Sequence, residues 1–358
     1  MFSYILAILG FGLLVLGHEF GHYITARIFG VTVYEFSIGM GPKIFSKKSQ
    51  KTGILYSLRW IPIGGYVSMA GEDEESNDEN ALNKKAVWKR MIILVAGGVM
   101  NLIMGLIIMF IYVTSSPAIG SNTVAEFGEG AISNVVLKEG DRIVSVNGAK
   151  TSISSSLLYE IMWGGGKDES FEWTDEKGEV NTVENVSVMD LTVIRDGKKL
   201  DLKVPFLNEE YEGVNFGTTD FKVYREKKTF FSVVKHAFSE SVLAGKQVWE
   251  SLVGLITGRF SIKHLSGPVG VANTVSDSVK LGAASFFYVL GLISVNLGIM
   301  NLLPFPALDG GRLVFQFIEL IFRKPVRRDI EAKIHATGLV LLFALIAVVT
   351  LKDVINLF

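Results

Sequence analysis

Four long apolar stretches set the plan of the chain: Phe2 to Phe29, Met91 to Val113, Ala283 to Leu303 and Ile334 to Leu351. Each reaches or approaches the roughly 20 residues with which a helix crosses a bilayer, so the pattern predicts four transmembrane helices. The first carries no charge from Phe2 to Gly17. It has neither a basic start nor a small-residue cleavage site, which predicts a retained span rather than a signal peptide. After it the period shortens to two. Val31 to Ile38 alternates, Gly39-Met40-Gly41-Pro42 interrupts, and Ile54 to Trp60 alternates again before Pro62 and Gly64-Gly65. These read as strands with a lysine-rich turn between them. Their apolar content beside the first helix predicts a small membrane-associated β-sheet whose edge is open to an extended peptide.

The stretch from 114 to 228 is hydrophilic and β-rich. Gly140 to Gly148 is a strand closed by an Asn-Gly turn, Ser155 to Met162 is helical, and Leu191 to Val204 is a hairpin turning at Asp196-Gly197. The order strand, Asn-Gly turn, helix, hairpin resembles a PDZ domain. Gly164 to Met189 reads as an insertion into that pattern, and the peptide-binding loop expected near Ala125 to Asn134 is indistinct. Phe230 to Ile256 has the spacing of an amphipathic helix, expected on the outer membrane face, with His236 as an exposed polar residue. His264, ahead of the turn-rich Ser266-Gly267-Pro268-Val269-Gly270, reads as structural. The resulting division is helix one at 1–29, the β-region and loop at 30–90 and helix two at 91–113. The inserted domain follows at 114–228, then the amphipathic helix and its connection at 229–280. Helix three takes 281–303, a motif and basic loop 304–333, and helix four 334–358.

Composition agrees with a membrane protein: 49% of the 358 residues are hydrophobic, and mean hydropathy is +0.38. A net charge of -1 offers nothing to nucleic acid. The basic residues flank apolar segments instead. Lys84, Lys85, Lys89 and Arg90 precede helix two, and Arg323, Lys324, Arg327 and Arg328 precede helix four. The positive-inside rule assigns these flanks to the cytoplasm, which puts both termini and the inserted domain outside. With no cysteine, there is no thiolate ligand and no cysteine nucleophile. Metal ligands are left to His, Asp and Glu.

The chemistry concentrates in Gly17-His18-Glu19-Phe20-Gly21-His22, within the first apolar helix. Two histidines four apart on a helix reach one zinc ion, and the glutamate between them stands beside the open coordination position. There it takes a proton from the attacking water and passes it to the leaving amine, while the metal lowers the water's pKa and polarises the scissile carbonyl. Three ionisable groups in a membrane helix call for a metal or a polar cavity. The third ligand is Asp309, in Asn301-Leu302-Leu303-Pro304-Phe305-Pro306-Ala307-Leu308-Asp309-Gly310, where prolines and glycines break helix three around one carboxylate. A cap for the following helix is the other role open to Asp309. Gly97, Gly98 and Gly105 suit close helix packing, and Asn101 suits either packing or a polar contact near the site.

These residues resemble the site-2 protease family of intramembrane zinc metalloproteases, in its bacterial sigma-factor-regulating branch with a PDZ insert. The likeness rests on His18 to His22, Ile61-Pro62-Ile63-Gly64-Gly65-Tyr66-Val67, Gly140 to Gly148, Ser266 to Gly270, and Asn301 to Gly310, and it covers nearly the whole chain. It departs at Gly98, where these proteins often carry proline. The resemblance implies zinc on His18, His22 and Asp309, Glu19 as general base, and Asn301 against substrate backbone. It also implies cleavage of single-span membrane proteins, such as anti-sigma factors and remnant signal peptides, in a bacterial cytoplasmic membrane. The substrate, the oligomeric state and the gating of the site are left open. A membrane scaffold with a structural metal is a competing reading, but such a site needs no free carboxylate at Glu19. A zinc transporter is another, without the internal repeat expected of it.

Overall fold

The computed structural model describes residues 2–72, 76–175, 177–211, 214–259, 261 and 265–355. His264 therefore lies outside the described residues, as does part of the acidic loop that follows Glu72. Four described helices are long and apolar enough to cross a membrane: α1 (Phe2–Ile28), α2 (Val87–Ser115), α6 (Ala283–Leu302) and α8 (Arg328–Ile355). The chain divides into two units, one built from Met1–Tyr112 and Ala244–Phe358, the other from Val113–Leu243.

In the first unit, α1 leads into β1 (Val33–Lys48) and β2 (Leu55–Met69). Both strands bend and pair twice. Phe36 faces Val67 on one side and Tyr56 on the other, while Leu58 faces Ile38 and Phe45. Two bent strands thus make four antiparallel segments in the order 65–69, 33–38, 55–58 and 45–48. Glu35 fixes the middle of this sheet. It accepts bonds from Ser57, from Arg59 at 2.9 Å and from Lys43 at 3.2 Å. Burial pushes its carboxyl up, but these bonds outweigh that effect and bring it down to about 2. Behind the sheet, Ala26, Val31, Val33, Ile54, Val67 and Ile93 are buried together and seat it on α1 and α2.

The second unit holds β3 (Ile119–Phe127), β4 (Arg142–Val146), β5 (Ala149–Lys150), α3 (Ser154–Gly164), β6 (Glu169–Thr174), β7 (Val180–Arg195), β8 (Lys198–Tyr211), β9 (Val214–Gly217) and β10 (Phe221–Glu226). Its main sheet runs β10-β3-β4-β7-β8-β9, with β5 on β4 and β6 on β7. Both predicted two-residue turns have positive φ at each position: Asn147 at 48° with Gly148 at 81°, and Asp196 at 49° with Gly197 at 75°. That geometry matches the twist of the flanking strands. The 164–189 segment forms β6 and the outer half of β7, which lengthen one hairpin. The loop near Ala125 to Asn134 is tied by Asp220, which accepts from Ile132 N–H at 2.7 Å and Ser133 N–H at 2.9 Å. Val124, Ile143, Leu157, Ile161, Leu191, Val204 and Phe206 fill the core between sheet and α3.

From this unit the chain enters α4 (Phe230–Ile256). The expectation that His236 is exposed is corrected: it is 3% exposed, with Nε2 3.0 Å from Glu226. It lies on the packed stripe with Val233, Ala237 and Glu240, one helical turn apart. The connection expected up to residue 280 is also corrected, because most of it is a helix, α5 (Pro268–Leu281). Pro268 suits its first turn. Asp353 of α8 accepts the Gly267 and Gly270 N–H groups at 2.9 and 2.8 Å, satisfying donors that a helix start leaves open. After α6, the segment Leu303 to Leu308 folds back on itself and starts α7 (Asp309–Phe322).

Candidate active site

On α1, His18 and His22 project from one face, their rings 4.8 Å apart and nearly perpendicular. Asp309 meets them from α7. Its Oδ2 lies 3.1 Å from His18 Nε2 and 3.2 Å from His22 Nε2, and the two nitrogens are 3.2 Å apart. The three residues that the sequence singled out are thereby brought together. The capping alternative for Asp309 is not taken up, since Leu308 is the N-cap of α7 and no side chain caps it.

The donor set fits a zinc ion. A tetrahedron with bonds of about 2.0–2.1 Å has corners roughly 3.3 Å apart, close to all three edges of this triangle. Asp309 Oδ2 is buried and makes no hydrogen bond despite its two close neighbours. Two imidazole lone pairs and a carboxylate oxygen facing one point repel one another unless a cation joins them. His22 Nδ1 is 2.7 Å from the Ile93 carbonyl, so it carries the proton and leaves Nε2 free as a ligand. His18 Nδ1 lies 3.4 Å from the carboxamides of both Asn101 and Asn301. With Nε2 on the metal, Nδ1–H needs an acceptor. Turning the Asn101 amide over supplies one and relieves an Oδ1 otherwise buried without a partner.

Steric necessity shapes the walls. A Cβ at Gly97 of α2 would lie 2.3 Å from His22 Nε2 and 2.7 Å from His18 Cε1, so only glycine leaves room for the two imidazoles as they stand. At Gly310 a Cβ would stand 2.1 Å from the Leu303 carbonyl, across the fold-back that delivers Asp309. Glu19, between the histidines in the chain, accepts the Val67 N–H of β2 at 3.2 Å. A carboxylate beside three groups that could hold a metal ion, next to a strand edge, is equipped to move a proton at a bound extended peptide. A profile of peptidase family M50 matches residues 6–345.

The chain belongs to the M50, or site-2 protease, family.

Three relatives match it over nearly their whole length. A Fusobacterium nucleatum protein, provisionally named a zinc metalloprotease, is 32% identical over 99% of both chains. The regulator of sigma-W protease RasP of Bacillus subtilis is 30% identical, with 97% of each chain covered, and the zinc metalloprotease RasP of Bacillus licheniformis is 30% identical over 98% of each. Within this M50 site, the Ile93 carbonyl, the Val67 amide and the steric role of Gly97 have no counterpart in the sequence reading. Only a run of small residues in an apolar helix hinted at the last, and nothing in the sequence marks which of the three glycines faces the two imidazoles.

Proposed function

We propose that this M50 enzyme cuts the transmembrane segments of single-span membrane proteins, with His18, His22 and Asp309 holding zinc and Glu19 as general base. The observation that carries the reading is the triangle of His18 Nε2, His22 Nε2 and Asp309 Oδ2 beside Glu19, with the histidines on a helix otherwise fit for a bilayer. Zinc there supplies Lewis acidity, polarising the scissile carbonyl and making the attacking water acidic enough to deprotonate near neutral pH. Glu19 receives the water's proton and delivers it to the leaving amide nitrogen. A helical substrate must first unwind, because its carbonyls are engaged in its own hydrogen bonds. The 65–69 segment of β2 offers an edge beside Glu19 for an extended chain, supported by the bond from Val67 to Glu19 rather than to a strand. Asn301, 3.4 Å from His18 Nδ1, is the proposed contact to the backbone of that chain. Exposed Trp60 and Phe45, at 70% and 62%, suit a sheet resting in lipid.

Anti-sigma factors and remnant signal peptides are the proposed substrates, in line with the RasP relative named for sigma-W regulation. The basic flanks of α2 and α8 support an active site toward the cytoplasm and the second unit, PDZ-like in its strand and turn order, outside. The test is cleavage of a single-span reporter in liposomes by wild type and Glu19→Gln, each with and without a zinc chelator. Wild-type cutting that is lost in Glu19→Gln and on chelation, with zinc still bound to the variant, is the expected result. Cutting that survives the substitution contradicts the role of Glu19.

A further inference from the structure

Asp309 reaches the histidines through a backbone turn that needs outside support. Ala307, two residues before it, has φ of 81°, a conformation L residues rarely adopt. The turn bonds to itself through Phe305 N–H to Leu303 O at 2.7 Å and Leu308 N–H to Phe305 O at 3.2 Å. The Ala307 N–H instead donates to His335 Nδ1 of α8, at 3.0 Å. A backbone N–H can only donate, so Nδ1 is the acceptor and the ring proton sits on Nε2. One turn further along α8, Gly338 faces the same segment. A Cβ there would lie 2.4 Å from Pro306 Cβ and 2.6 Å from the Pro306 carbonyl. Two positions one turn apart on α8 thus hold the two residues where the chain reverses into Asp309.

We propose that His335 is a positioning residue of the metal centre: by accepting the Ala307 N–H, it holds the turn that aims Asp309 at His18 and His22. The inference rests on Asp309 being a ligand. His335 itself touches neither the ligands nor the substrate path described above. Its contribution is an acceptor at the Nδ1 position, braced by the Phe315 ring 5.5 Å away. The shape of the side chain then decides which substitutes work. Asn places its Oδ1 near the Nδ1 position, whereas Gln reaches toward Nε2.

The test compares zinc affinity, by chelator competition on the purified full-length protein in detergent, for wild type, Asp309→Asn, His335→Ala, His335→Asn, His335→Gln and Gly338→Ala. Melting temperature is recorded alongside. Loss of the outer support of a ligand typically weakens metal binding by about 10- to 100-fold. His335→Ala, His335→Gln and Gly338→Ala are expected to fall in that range, and His335→Asn to stay within about 3-fold of wild type on the same scale. Wild-type affinity in His335→Ala, or equal loss in the Asn and Gln variants, overturns the proposal. Asp309→Asn separates the two levels: if it keeps wild-type affinity, the ligand assignment itself fails.

Discussion

At the scale of single residues, the site is defined as much by what is missing as by what is present. His18 and His22 supply lone pairs, but their rings fit because Gly97 has no side chain. Gly97→Ala is therefore expected to lower zinc affinity by more than ~10-fold and cleavage in proportion, a steric counterpart to losing a ligand's support. Zinc stoichiometry and reporter cleavage, beside an unchanged helical circular dichroism spectrum, check it. Wild-type metal binding in the variant would mean that α2 can withdraw from α1. The two histidines were legible in the sequence because one helical turn separates them, so local geometry alone joins them. Asp309 was legible for a different reason, as a carboxylate in a broken apolar helix that needs a partner. Gly97, Ile93 and His335 were not, since their partners lie far along the chain and generic packing accounts equally well for a glycine or an isoleucine in a span.

Elements show the same division between local and distant causes. The Asn147-Gly148 and Asp196-Gly197 turns and the limits of α4 follow from spacing and turn chemistry. The start of α5 does not, because glycine and proline read as a turn until Asp353, 86 positions from Gly267, is seen to take its N–H groups. The two bent strands also look like a simple hairpin in sequence, and only the double pairing of Phe36 and Leu58 reveals four segments. On α4, Glu240 is 4% exposed, accepts from Ser155 at 2.6 Å, and has its other oxygen unpartnered. Burial pushes its carboxyl up, with the Ser155 bond opposing. A carboxyl raised in the folded state contributes stability that is full below its ordinary value of 4.5 and is lost as pH rises through the folded value. Glu240→Gln keeps the Ser155 bond and removes that dependence. The variant should melt higher than wild type at pH 8 and close to it at pH 4, by differential scanning fluorimetry. An unchanged difference between the two pH values would show that Glu240 is not buried in its charged form.

For the whole molecule, the described residues form four helices apolar enough to cross a membrane, the triangle that α1 and α7 bring together and, between α2 and α4 in the chain, a β-rich unit with its own core. The ends of that unit's sheet meet, since Ile119 of β3 pairs with Glu226 of β10. Residues 120–225 are thus replaceable by a short flexible linker without separating their flanks. If the unit screens substrates by size, the shortened enzyme should cleave untrimmed reporters with bulky outer domains that the full chain refuses. Equal selectivity in both would remove the screening role and leave the catalytic account intact. The division into spans and insert was legible because lipid and water impose opposite compositions.

On this mechanism peptide bonds are cut beside the triangle at the depth of the membrane. The position of the cut in a single-span reporter, trimmed on its outer side and reconstituted with the enzyme in liposomes, tests it most directly when the products are weighed by mass spectrometry. Termini inside the apolar segment, produced by wild type and absent with Glu19→Gln, are expected. Products ending only in the soluble flanks, or the same internal termini from the Glu19 variant, would contradict it.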